Sequence, residues 1–306
     1  MAPLVWLITG CTSGAGLALV HSVAARGDLV IATGRNASSR LSELSSSPSI
    51  AVLDLDVVSP LAEIQTIMAS AVAIFGRIDV LVNNAGMARG SSVEEASEDL
   101  VRKLFDINLF GAIKVTQAVL PHMRKAKTGT VAFIGAGLGW AVMPFMTYYS
   151  TTKAALTLFA EGLQNEITPL GLRSVIFEPG GFDSQFAAPK PGEVGFAEPP
   201  KIDDYLPLYS KVWGITSGEA PKLPGDIAKL PGAIIDVIKG EGLAKGRPFP
   251  VRVVLGPDSL DAIRQKCNEQ LQLCDTWEDM TLSVMVEGRR ETGDWLLGNI
   301  SILNKS

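Results

Sequence analysis

Histidine and cysteine are scarce in this chain: two histidines, His21 and His122, and three cysteines, Cys11, Cys267 and Cys274, among 306 residues. The cysteines are odd in number and the five residues show no metal-ligand spacing, which argues against a disulfide framework and against zinc. Basic charge is also short of what nucleic acid or an anionic membrane asks for. Lys and Arg number 27 against 32 Asp and Glu, a formal net charge of −5. No basic segment precedes the apolar run that starts at Leu4, so no signal peptide is expected and a cytoplasmic location is the default. One uncharged run, Thr128 to Thr152, approaches membrane length. Gly129, Gly135, Gly137, Gly139 and Pro144 interrupt it, so it reads better as a strand entering a loop than as a span.

What is present is a large apolar fraction, 47%, arranged in alternation. Strand-like runs at Leu29 to Thr33, Ile50 to Leu55, Asp79 to Val82, Thr130 to Ile134 and Leu172 to Phe177 are separated by helical patterns. Those patterns cover Leu61 to Phe75, Ser97 to Met123 and Tyr149 to Thr168. Such alternation predicts an α/β fold, a doubly wound parallel sheet with helices on both faces. The serine-rich stretch Ser38 to Ser49 reads as a surface loop, with a short helix at Leu41 to Leu44. Residues 1–306 are expected to form one domain. Prolines between Pro189 and Pro224 mark about 185–225 as a lid over the strand ends, or alternatively a plain surface excursion. A helix from Asp226 to Lys239, a last strand from Val251 to Leu255 and a helix from Ser259 follow. Residues 257–306 then form a C-terminal helix and extension.

The chain begins with an apolar run, Leu4 to Ile8, then Thr9-Gly10-Cys11-Thr12-Ser13-Gly14-Ala15-Gly16, then a helical stretch to Arg26. Strand, glycine turn and helix in that order open a dinucleotide-binding unit, where a pyrophosphate needs close backbone approach and a helix N-terminus. The second strand ends in Gly34-Arg35, without the acid that would select NAD. Arg35 can fork onto a 2′-phosphate and so favours NADP, unless it is only a solvated surface arginine. Asp56 follows the third strand, and Asn83-Asn84-Ala85-Gly86 the fourth. In Tyr149-Ser150-Thr151-Thr152-Lys153 the tyrosine and lysine are one helical turn apart and share a face. A nearby ammonium favours tyrosinate and brings proton exchange within reach, although such a pair also occurs on ordinary surface helices.

Together these motifs resemble the short-chain dehydrogenase/reductase family over roughly Leu4 to Ser184. The resemblance implies a Rossmann fold and NADP(H), with Thr9, Gly10, Thr12, Ser13, Gly14 and Gly16 forming the phosphate loop. It implies Asp56 beside adenine, Asn83, Ala85 and Gly86 lining the cofactor, Pro179-Gly180 beside the nicotinamide and Ser184 on its carboxamide. Tyr149 matches the catalytic acid/base, Lys153 its ribose-binding partner and Asn108 the holder of a proton-relay water. Family members associate through helices equivalent to Ser97–Met123 and Tyr149–Thr168, which implies a homodimer or homotetramer.

One position departs from the pattern. The family's catalytic serine lies thirteen residues before the tyrosine, and that position here is Ala136. Loss of one such donor typically costs about 10²–10³ in turnover. No serine occurs between Gly129 and Tyr149, leaving Thr147, Tyr148 or Ser184 as substitute hydroxyls. The favoured reading is an NADPH-dependent reductase with Tyr149 as proton donor. The alternatives are a non-redox isomerase, epimerase or cyclase on the retained cofactor site, a serine-to-alanine trapping variant, and a silent NADP-binding protein. Leu138, Trp140, Met143, Phe145, Met146, Phe182 and Phe186, with Tyr205 and Trp213 from the lid, form the expected pocket wall. Such a wall suits a bulky hydrophobic ketone.

Overall fold

Each of the central strands is apolar on both faces, which is what a sheet covered by helices on both sides requires. In β1 (Val5–Ile8) all four side chains are buried: Val5 and Leu7 join the core on one face, Trp6 and Ile8 the core on the other. The computed structural model describes residues 2–182, 199–213 and 223–286. Seven parallel strands lie in the order β3-β2-β1-β4-β5-β6-β7. The others are β2 (Leu29–Gly34), β3 (Ile50–Asp54), β4 (Val80–Asn83), β5 (Thr130–Ile134), β6 (Arg173–Pro179) and β7 (Arg252–Leu255). The strand order reverses between β1 and β4, so the crevice at their carboxyl ends is where this architecture takes its ligand.

The helices are α1 (Gly14–Ala25), α2 (Ala37–Arg40), α3 (Leu61–Phe75), α4 (Glu98–Phe105), α5 (Gly111–Ala126), α6 (Thr147–Ile167), α7 (Leu206–Trp213), α8 (Leu230–Lys239), α9 (Pro257–Thr276) and α10 (Glu278–Ser283). One core layer packs Ile64 and Met68 of α3, Val115 and Val119 of α5 and Leu156 of α6 on the sheet. The other packs Leu19 and Val20 of α1 with Ile234 and Ile238 of α8. Asp28 fastens this second layer to the sheet. Buried, it accepts the Trp6 indole N–H at 3.1 Å and pairs with Lys239 at 3.0 Å.

Three expectations need correction. The run Ser97–Met123 is not one helix: a π-helical turn, Asp106–Phe110, separates α4 from α5. Gly111 presses against Val57 there, and its N–H reaches back to the Asp106 carbonyl. A one-residue widening leaves the apolar periodicity almost intact, so the pattern cannot reveal it. The stretch Ser38–Ser49, expected as a loop, opens in α2, held by Asp54, which accepts both the Ser38 N–H and hydroxyl. The short helix placed at Leu41–Leu44 follows as a 3₁₀ turn, Ser42–Ser46. The helix placed from Asp226 starts only at Leu230, because the Asp226 carboxylate takes the Ala228 N–H in a turn. Thr128–Thr152 resolves into β5, a turn and the start of α6, and among the described residues no helix is long and apolar enough to cross a membrane.

The two glycines nearest the crevice have different reasons to be glycine. Gly14 has φ +58° and faces open space, whereas a Cβ on Gly16 would lie 2.5 Å from both the Gly10 carbonyl oxygen and Asn84 Nδ2. Gly14→Ala is therefore expected to cost only the left-handed strain, about 1–2 kcal/mol. Gly16→Ala must push apart two loops at the switch point. Urea unfolding should find it at least as destabilised as an overpacked core position, about 1–3 kcal/mol, with cofactor binding impaired.

Candidate active site

The floor of the crevice is made by stitching the ends of β1 and β4 together. The Thr9 hydroxyl accepts the N–H groups of Asn84 (3.0 Å) and Ala85 (2.9 Å). Asn84 Nδ2 returns bonds to the carbonyls of Thr9 and Gly10. Thr9 and Asn84 are thus structural ties, and Asn83 turns its amide away from the crevice to Thr116 of α5 at 3.0 Å. Above this floor Gly14 is open, Ser13 makes no side-chain cap, and the first turn of α1 carries no acid. Its free N–H groups and positive dipole end are left for an anion. That is a fit for a dinucleotide pyrophosphate.

Arg35 is exposed just beyond β2. A second guanidinium, which the sequence reading did not single out, lies close by. Arg40 at the end of α2 donates to the Thr12 hydroxyl (2.9 Å) and carbonyl (3.4 Å) inside the glycine loop. Asp56 is half-buried after β3, its carboxylate accepting the Val58 N–H at 3.2 Å.

Tyr149 and Lys153 come together on one face of α6, both buried, with Lys153 Nζ 5.8 Å from the Tyr149 ring centroid. Lys153 Nζ donates to the Ile134 carbonyl at the end of β5, at 2.7 Å. The place a Cβ on Gly86 would occupy is 3.3 Å from Asn108 Oδ1 and 3.7 Å from Lys153 Nζ, so the Asn83–Gly86 turn closes the same chamber. Asn108, on the π turn, is fully engaged. Its Oδ1 accepts the Met87 N–H, and its Nδ2 donates to the Met87 carbonyl and to the Thr152 hydroxyl. Burial pushes the Lys153 ammonium down to about 8 and the Tyr149 hydroxyl well above its ordinary value. The expectation that the ammonium would lower Tyr149 is corrected on this point. Desolvation of the buried phenol dominates, and the lysine charge is directed at a carbonyl.

Ala136 packs directly against Tyr149 and Met146, with Ala88, Leu138 and Trp213 completing the cluster. Apart from Tyr149, none of these carries a hydroxyl. Of the proposed substitutes, Tyr148 points away, donating to the Val93 carbonyl, and Ser184 lies outside the described residues, as does Phe186. Phe145, Tyr205 and Tyr209 stack edge to face, and Trp213 joins this group to the Tyr149 cluster. Phe145 sits at φ +68°, a conformation a bulky side chain adopts only when its surroundings enforce it. The stretch 199–213 is anchored by two acids missed in the sequence. Glu95 accepts the N–H groups of Lys201 and Ile202, and Glu94 the Tyr205 hydroxyl. Three of the expected wall residues lie outside these two clusters. Met143 is exposed, Phe182 packs into the core layer of α1 and α8, and Trp140 donates its indole N–H to Glu178 at 2.8 Å. An aromatic residue near a catalytic loop reads the same in sequence whichever way its Cβ points.

The turn after β6 is pinned from behind. The carboxylate of Asp258, at the start of α9, fills the space a Cβ on Gly180 would need and accepts the Gly181 N–H at 2.7 Å. The model of the short chain dehydrogenase family matches residues 4–193. The chain belongs to the short-chain dehydrogenase family. It is 32% identical over 186 residues to 3-ketodihydrosphingosine reductase of Bacteroides thetaiotaomicron, a match spanning 61% of this chain and 66% of that protein. The solved structure of a short-chain dehydrogenase from Streptomyces avermitilis superposes with a TM-score of 0.79 at 32% identity, covering 93% of this chain and all of that one. The closed form of serine dehydrogenase complexed with NADP+ superposes with a TM-score of 0.67 at 26% identity, covering 84% and 96%.

For this short-chain dehydrogenase, burial of Lys153 has a consequence for stability against pH. Between pH 8 and the ordinary 10.5 the unfolded chain holds a proton the folded chain has released. Stability from this group therefore rises with pH across that window and is lowest below it. Tyr149, raised by burial, works in the opposite direction above pH 10. Urea unfolding at pH 8, 9 and 10 should show this chain gaining stability relative to Lys153→Met; parallel curves would contradict the burial effect.

Proposed function

We propose that this oxidoreductase reduces the ketone of a bulky hydrophobic small molecule with NADPH, Tyr149 giving the proton. The observation that carries the reading is the enclosure of Tyr149, Lys153 and Asn108 behind an apolar wall that Trp213 completes from α7. When bound, NADPH supplies the hydride, while the protein supplies position and electrostatics. The Gly14 turn and the start of α1 would hold its pyrophosphate, and Arg35, with Arg40 behind Thr12, its 2′-phosphate. Asp56 would take the adenine, and Ala85, Gly86, Pro179 and Gly180 would line the nicotinamide end. Lys153 would hold the ribose and favour proton transfer from the Tyr149 hydroxyl to the substrate oxygen. Asn108 fixes Met87 and Thr152 around them. With its amide committed, a relay water beside it would depend on backbone carbonyls of the π turn.

The substrate class follows from the wall. Leu138, Met146, Phe145, Tyr205 and Trp213 offer carbon surface and few polar partners, which suits a long or polycyclic ketone. The relative named for 3-ketodihydrosphingosine reduction is in keeping with that choice. Ala136 favours a second reading. With carbon where the family places a hydroxyl, the chamber suits a rearrangement in which NADPH is retained. Self-association through α4, α5, the π turn between them and α6, where Phe110 of the turn and Leu158 of α6 stand exposed, belongs to the proposal as well.

Two experiments test it. NADPH oxidation with a panel of hydrophobic ketones is expected for this chain, with Ala136→Ser faster by up to about 10²-fold and Tyr149→Phe slower by about 10²–10⁴-fold. Turnover of a substrate with NADPH unconsumed would replace the reductase reading by the rearrangement. Arg35→Ala should raise KM for NADPH roughly tenfold, the value of one charge-assisted contact, and leave KM for NADH unchanged. An equal effect on both cofactors would remove Arg35 from the 2′-phosphate.

A further inference from the structure

α9 leaves the body after its first two or three turns. Ser259 is buried against Glu178 and Ile263 is buried, but from Gln270 to Val286 every residue is exposed. A helix surrounded by water gains nothing from packing, and isolated helices of this length are marginal. Its sequence is nevertheless not that of a solvated helix. At 3.6 residues per turn, Leu260, Ile263, Cys267, Leu271 and Cys274 fall within one arc of about 80°. The stripe that docks Ile263 on the body thus runs on into solvent as far as Cys274, and past the end of α9 Trp277 and Met280 add exposed apolar surface. Leu271 is 64% exposed, Trp277 56% and Met280 63%.

Charge is distributed unevenly about the middle of this stripe. Asp261, Arg264 and Lys266 lie before Leu271, with Glu269 held by Lys266 at 3.7 Å. Asp275, Glu278 and Asp279 lie after it. A parallel partner helix would set like charges side by side. An antiparallel copy sets Arg264 and Lys266 against the acidic tip twice over, which is the self-complementarity a twofold interface needs. The acidic tip also disfavours an anionic lipid surface as the covering partner.

We infer that the protruding part of α9, with Trp277 and α10, pairs antiparallel with the same segment of a second copy of this chain, the twofold axis passing close to Leu271. In that arrangement Cys267 of one copy lies beside Cys274 of the other. Leu271 and Trp277 are the apolar anchors, and Arg264 and Lys266 face Asp275, Glu278 and Asp279 of the second copy. The surface is separate from the chemistry proposed above and from the α4–α6 faces, so the reductase reading can fail without affecting it.

The test uses the full chain. Sedimentation across the micromolar range should give a dimer or a larger even assembly, and Leu271→Asp or Trp277→Glu should halve its mass. Dissociation should rise by about thirtyfold or more, as for a central anchor. Both positions are exposed, so the thermal transition of the separated chains should not fall. Orientation is read by mixing Cys267→Ser with Cys274→Ser chains and adding a short bismaleimide at neutral pH. Cys11 is fully buried with its thiol raised to about 12, so it does not compete. Cross-linking of the mixed pair, and little in either variant alone, is the expected result. A monomer at every concentration, a mass unchanged by Leu271→Asp, or cross-links only between like variants would each overturn the pairing.

Discussion

The Thr9 hydroxyl accepts two backbone N–H groups from the turn after β4, and Asn84 answers with two bonds to the carbonyls after β1. These bonds require the two loops to approach so closely that Gly10 and Gly16 have no room for a Cβ. The rest of the site depends on that closure. It fixes the Gly14 turn over the crevice, and it sets the Asn83–Gly86 turn against Lys153 and Asn108. From there Asn108 reaches Thr152, and the π turn is what brings it inside. A parallel sheet supplies the raw geometry at its switch point, and the hydrogen-bonded closure turns it into a defined chamber.

Desolvation governs the chemistry within that chamber. The same burial pulls Lys153 down to about 8 and pushes Tyr149 up, so at neutral pH the phenol keeps its proton and the lysine remains largely an ammonium close to its titration. Such a pair suits a proton that moves only when substrate and cofactor are present. Ala136 strengthens the effect by placing a methyl group, not a hydroxyl, against the phenol. Under the proposed reduction, the oxyanion would rely on Tyr149 alone among the residues packed there.

Much of this was legible in the sequence, and the parts that were not share a cause. Strand runs such as Thr130–Ile134 and the helix Leu61–Phe75 stand where apolar periodicity puts them, because burial on one or two faces is written into spacing. Tyr149 and Lys153 meet because four residues is one helical turn. The π turn and the direction of Trp140 and Phe182 depend on contacts made far along the chain, with Val57, Glu178 and the α8 layer, and the start of α8 on a local side-chain turn at Asp226 that periodicity does not register. Arg40, Glu94, Glu95 and Asp258 were missed for the same reason. Each is an ordinary surface-type residue in sequence, and only the fold gives it a backbone amide or a hydroxyl to hold.

The most direct measurement of the central claim follows the hydride itself. NADPH deuterated at the nicotinamide C4 position would be supplied with a hydrophobic ketone under single-turnover conditions, and the product analysed by mass spectrometry and NMR. Hydride transfer predicts one deuterium on the carbinol carbon, with matching loss from the cofactor. A transformed product without label, and a cofactor that keeps its deuterium, would contradict a reductase and identify the chamber as a site for rearrangement.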